Sequence, residues 1–185
     1  VVSAGGMRRF IPPGKRESDN KGNPMIRFLK ISLVGFVAFF CLMYAAQNLV
    51  NLQPAYGFVA AMVGMVDHVV YPSHVGPSVH SPALVWLMLG IIILLELTAG
   101  VLAAKGAVDL WRSRQASAEI FNEAKKFAVL GAGLAVVIWF GIFSAIGGAY
   151  FQMWQTELGT GALQGAFWYS MQNGLIMLVV LTPYR

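Results

Sequence analysis

The chain has 185 residues, 57% of them apolar and only 11% charged, with a formal net charge of +5. A soluble domain is typically about 45–50% apolar and about 25% charged, so this supply of charge cannot coat a water-facing surface, and the length allows one domain. The single cysteine, Cys41, lies inside an apolar run, which excludes an intramolecular disulfide and any thiol chemistry that needs a cysteine pair.

Residues 1–24 carry Pro12, Pro13, Gly14 and the mixed-charge run Lys15-Arg16-Glu17-Ser18-Asp19-Asn20-Lys21. Such a segment cannot bury a core and reads as a disordered or non-native extension, with Val1, Met7 and Met25 as alternative starts. Four apolar stretches follow, at 28–50, 83–104, 127–149 and 163–181. A membrane-spanning helix needs about 20 mostly apolar residues, so the expected fold is all-α: a four-transmembrane-helix bundle over residues 25–185. The first stretch is too long for a signal-peptide core of about 7–15 residues. Gln47, Asn48 and Asn51 mark its exit into the headgroup region.

Between the first two stretches, Phe58, Val59, Met62, Val63 and Val66 recur at helical spacing, which predicts a short interfacial helix over Tyr56 to Val66. Tyr71 to Pro77 is turn-rich. Between the second and third stretches, Ser117 is suited to an N-cap with Glu119 in the first turn, so a helix from Ala118 can run unbroken into the third span. Glu119 and Glu123 then read as a solvated face. Of the 13 Lys and Arg residues, seven lie at or before Lys30 in the opening of the first stretch, five between the second and third, and one after the fourth; Asn51 to Pro82 and Tyr150 to Ala162 have none. By the positive-inside rule this predicts a multi-pass protein of a bacterial inner membrane with both termini inside. It also explains the basic charge without nucleic acid.

Four passages carry a family resemblance: Met25-Ile26-Arg27 with Lys30; Glu96-Leu97-Thr98-Ala99; Asp109-Leu110-Trp111-Arg112 followed by Phe121-Asn122-Glu123-Ala124-Lys125; and Gly147-Gly148-Ala149-Tyr150-Phe151-Gln152-Met153-Trp154-Gln155. Through them, residues 25–185 resemble the bacterial domain of unknown function 2165 family, described as predicted small integral membrane proteins. The resemblance implies fold and topology and no reaction. The outer loop after Asp67 and its histidines depart from the pattern.

Glu96 is the one formally charged side chain well inside a span. An acid at that depth costs about 2.5–3.5 kcal/mol on insertion scales, which calls for a partner. Counted from the inner ends of spans two and four, Glu96 shares a level with Asn173 and its neighbour Gln172, so the three form the expected intramembrane polar site, either a register clamp or a proton or cation site. His68, His74 and His80, with Asp67, are a candidate metal set in the proline-broken outer loop, against the plainer reading of solvated loop histidines. No span contains a histidine, which leaves no usual axial ligand for a haem. Gly100 with Ala104, Ala128 with Ala132 and Gly131 with Ala135 are small residues four apart, as close helix packing in lipid requires.

There is no nucleophile with its base, no paired carboxylates and no phosphate-cradling glycine loop. The expectation is therefore a non-enzymatic accessory or scaffold subunit of a larger inner-membrane assembly. It needs no cofactor beyond a structural lipid, and its partners are membrane lipids and other membrane subunits, not nucleic acid. The competing expectation is a small proton or cation transporter or channel using Glu96, and a third is an outer-loop metal binder.

Overall fold

The computed structural model describes residues 23–183; the expected N-terminal extension lies almost wholly outside the described residues. Among the described residues all regular structure is helical, with no strand. Helix α1 (Pro24–Val50) starts where the Asn23 side chain accepts the Met25 N–H at 3.0 Å, with Pro24 in the first turn. Asn23 thus satisfies one of the backbone donors left open at a helix start. α2 (Leu52–Val63) follows the break at Asn51, and α3 (Pro82–Arg112) begins after Ser81. α4 (Ala118–Glu123) and α5 (Lys126–Val136) lead into a π-helical stretch, Val137–Tyr150. There the Phe151 N–H reaches Ile146 O at 3.0 Å and the Ser144 hydroxyl reaches Trp139 O at 3.2 Å, each five residues back. A single 3-10 turn (Met153–Gln155) precedes α6 (Glu157–Leu181), whose first turn is capped by Thr156 Oγ1 accepting the Gly159 N–H at 3.0 Å.

Three helical legs are long and apolar enough to cross a membrane: α1, α3 and the continuous stretch Ala118–Tyr150. α6 has 25 residues, about 37 Å at 1.5 Å per residue. It runs back alongside Ala118–Tyr150 and is less apolar than the other three. The predicted first, third and fourth stretches lie inside these legs. Span two is longer than the sequence suggested: the helix passes Ala104 and ends at Arg112. Lys105 and Asp109 read as loop residues because they are charged. They are one helical turn apart and pair with each other at 2.6 Å on the outward face, while Ala103, Gly106 and Leu110 face inward and are buried.

The legs pack backbone to backbone. A Cβ on Gly106 would lie 2.2 Å from Ala128 N, one on Gly131 would lie 2.5 Å from Ala103 N, and one on Gly100 would lie 2.6 Å from Leu42 Cγ. The main core combines Val34, Cys41, Ala99, Ala132, Ile138 and their neighbours. A second cluster forms where α2 lays Val59 and Val63 against Val85, Leu89 and Ile92 of α3. The expected outer-loop helix exists, therefore, but begins directly after Asn51 and packs one face on α3.

The far end is closed by the chain around 150–156. Gln152 adopts a left-handed backbone (φ 52°). Gln155 clamps the loop between α2 and α3, its Oε1 accepting the Tyr71 N–H at 2.8 Å, and Tyr71 and Trp154 meet edge to face at 4.9 Å. Gly76 lies directly against the Tyr150 ring, where any side chain would collide. The Gly147–Gln155 passage thus works as a cap that holds the loop.

These contacts set a stability expectation. Gly106→Ala or Gly131→Ala forces backbone against backbone and should destabilise by about 1–3 kcal/mol. Gly90→Ala, which meets nothing within 4 Å, should be neutral or gain up to about 1 kcal/mol from helix propensity. Thermal unfolding of the three variants in one detergent checks the contrast.

Candidate functional site: a buried acid beside an aromatic cluster

α1 and α3 run antiparallel, and the Gly100–Leu42 approach brings their polar groups together. One turn beyond Gly100, Glu96 is 1% exposed and its Oε2 accepts a hydrogen bond from Asn48 Nδ2 at 2.9 Å. A buried carboxyl without a partner would be left with its full desolvation cost; the carboxamide supplies one donor. Glu96 is also close enough to act electrostatically on Cys41 and Tyr44. Tyr44 belongs to a cluster with Phe40, Trp139 and Tyr169, whose centroids lie 4.8 to 5.9 Å apart. Such tilted and edge-to-face pairs suit the ring quadrupoles. The cluster joins α1, the π-helical stretch and α6 next to the acid.

This arrangement differs from the expected trio. Asn173 is buried but donates to Tyr169 O of its own helix at 2.8 Å. Gln172 is exposed and lines a groove of about 320 Å³ between α1 and α6. No hydrogen bond links either residue to Glu96. The shared level itself holds: Gly131 packs on Ala103, Gly133 lies beside Met177 and Gly174 beside Val136, which sets Asn173 close to the level of Glu96. The pairing differs because Asn173 turns to its own helix and Glu96 to α1. Asn48, read as a headgroup marker, is the actual partner.

The histidines do not converge. His74 Nδ1 bonds Gly76 O at 2.5 Å, and His80 Nε2 pairs with Ser78 Oγ at 2.8 Å. His68 has both ring nitrogens buried without a partner. Burial, reinforced by nearby His74, holds its pKa below the ordinary imidazole range, against the pull of Asp67. Among the described residues no three His, Cys, Asp or Glu side chains are grouped as a metal ion would need. The candidate set His68, His74, His80 and Asp67 is thus scattered over the loop.

The opposite end holds residues that sequence reasoning assigned only to topology. Arg27 is 1% exposed; its guanidinium donates to Arg114 O at 3.0 Å and Ala116 O at 2.6 Å and lies over the Phe121 ring at 4.8 Å. Lys30 and Lys125 are 4% and 5% exposed, and both ammonium groups donate to Thr182 O at 2.7 Å. Carbonyls at helix C-termini carry partial negative charge, so these cations cap α6 and the turn after α3. The signal was present in the sequence: Arg27, Lys30, Ile31 and Val34 fall on one helical face.

If the Asn48 bond holds the acid, Asn48→Leu should cost about 1–3 kcal/mol by leaving a buried acceptor unmade. Glu96→Gln keeps an acceptor and should stay near the parent. Thermal unfolding of the two variants in detergent compares them, and equal midpoints would remove the clamp.

Residues 26–183 match the family described as predicted small integral membrane protein (DUF2165). No curated protein and no solved structure matches the chain.

Proposed function

The chain belongs to this family of predicted small integral membrane proteins, and from that premise we propose that it is a non-catalytic scaffold subunit that docks onto another membrane protein through α6. The supporting observation is the outward face of α6. Gln164, Trp168 and Gln172 are exposed one helical turn apart, and the space over Gly161 is empty. Lipid tails offer carboxamides no hydrogen-bond partner. A neighbouring transmembrane helix with polar side chains does, and small residues let its backbone approach. The lower apolarity of α6 has the same origin: a face covered by protein has no need to be uniformly lipophilic.

In this reading α6 is the fourth membrane span. The lysine-rich end, where α1 begins and α6 finishes, faces the cytoplasm of a bacterial inner membrane. The distribution of all 13 Lys and Arg residues supports that orientation. Transport through Glu96 is the second reading, motivated by the buried acid. Against it, Glu96 is 1% exposed and bonded to Asn48, so a route for ions would have to open at the α1–α3 contact.

A photo-crosslinking residue at Trp168 should capture one discrete partner in native membranes, whereas one at Leu94, exposed on α3, should give lipid adducts only. Gln164→Leu with Gln172→Leu should reduce the Trp168 crosslink about tenfold without lowering thermal stability. Equal capture from both positions, or a crosslink unchanged by the double variant, would contradict docking through α6.

A further inference from the structure

The pair Lys30 and Lys125 is not explained by docking through α6. Both residues are more than nine-tenths buried, and their ammonium groups share one acceptor, Thr182 O, at 2.7 Å each. Sharing one oxygen places the two nitrogens less than twice that distance apart. Lys30 also donates to Thr182 Oγ1 at 3.2 Å. Thr182 takes two hydrogen bonds from Lys30 and one from Lys125, and the two side chains lie within hydrogen-bond reach of each other. Among the described residues no carboxylate reaches either group. Two like charges held this close in a poorly screened environment repel strongly, and one carbonyl with a helix C-terminus behind it offsets only part of that repulsion.

Beside them a groove of about 460 Å³ opens at the same end of the bundle. Lys125 and the exposed Lys126 line it, and its wall continues along Val129, Leu130 and Leu181. Glu123 lies on the rim, exposed. The groove therefore offers positive charge at one end of an apolar track that follows α5 and α6 toward the membrane interior. A small soluble anion would use the charge and leave the track empty. A phospholipid uses both.

We propose that Lys30, Lys125 and Thr182 form the head of a specific binding site for an anionic phospholipid. The phosphate accepts from the Lys125 ammonium, with Lys30 supplying charge behind it, and one acyl chain lies on Val129, Leu130 and Leu181. Charge-assisted bonds to phosphate oxygens are among the stronger hydrogen bonds, and basic pockets between transmembrane helices take anionic headgroups in general. Occupancy would neutralise the lysine pair and lock α1, α5 and α6 together at this end.

The test uses the full chain in nanodiscs that contain phosphatidylglycerol and phosphatidylcholine in equal amounts, followed by native mass spectrometry of the lipid retained in detergent. The expected result is at least tenfold enrichment of phosphatidylglycerol, lost in Lys30→Gln with Lys125→Gln and kept in Lys105→Gln, whose lysine is exposed and paired with Asp109. The parent protein gives a second readout that needs no variant: acetylation of Lys125 should slow about tenfold in phosphatidylglycerol relative to phosphatidylcholine. No enrichment, enrichment retained by the double variant, or equal protection of Lys125 by inorganic phosphate in detergent alone would each overturn the lipid site.

Discussion

Three buried cations hold one end of this bundle to the C-terminal carbonyls of its own helices. Arg27 reaches across from α1 to the turn after α3, and Lys30 and Lys125 meet at the end of α6. Buried from water, the cations and the open carbonyls each need the other. The pairing is directional: it requires that the starts of α1 and α5 and the ends of α3 and α6 lie together. Helix order, antiparallel packing and the level of every polar group along the bundle follow from that requirement.

With the ends fixed, the interior is set by how closely backbones approach. Gly100, Gly106 and Gly131 remove the side chains that would hold α1, α3 and α5 apart. Dispersion contacts, accumulated over many atom pairs, take the place of the hydrophobic force that is absent in lipid. The α1–α3 approach then places Asn48 on Glu96, so the acid is best understood as part of the register between two helices. The aromatic cluster beside it ties that pair to the π-helical stretch and to α6. Closely packed helices on one side and exposed carboxamides on the other give α6 two different faces, which suits a helix shared between this protein and a neighbour.

The sequence made the long-range plan readable because membranes impose a coarse rule on composition. The stretches 28–50, 83–104, 127–149 and 163–181 all lie inside helices, and Ser117 sits where a helix begins. Pairing was harder to read. Asn48 lies at the end of an apolar run, where a polar residue ordinarily meets water, and nothing local shows that Glu96 of α3 faces it. The i, i+4 pair Lys105–Asp109 was a legible sign that α3 continues past Ala104, obscured because charge was taken to end the span. Lys30 and Lys125 carry a second meaning that charge counting cannot show: they follow the positive-inside pattern and are also buried. The π-helical turns at Val137–Tyr150 had no sequence signal beyond scattered small residues such as Gly141, Ser144 and Gly147 to Ala149.

The central claim is that α6 runs from one membrane face to the other and ends beside Lys30 and Lys125. It is tested most directly by sidedness. Single cysteines from Glu157→Cys and Pro183→Cys, in a Cys41→Ala background, would be labelled with a membrane-impermeant maleimide in vesicles of known orientation. The account predicts that the two positions react from opposite faces, with position 183 on the same side as a cysteine from Ser117→Cys. Reaction of 157 and 183 from one face would place α6 along the surface and contradict the account.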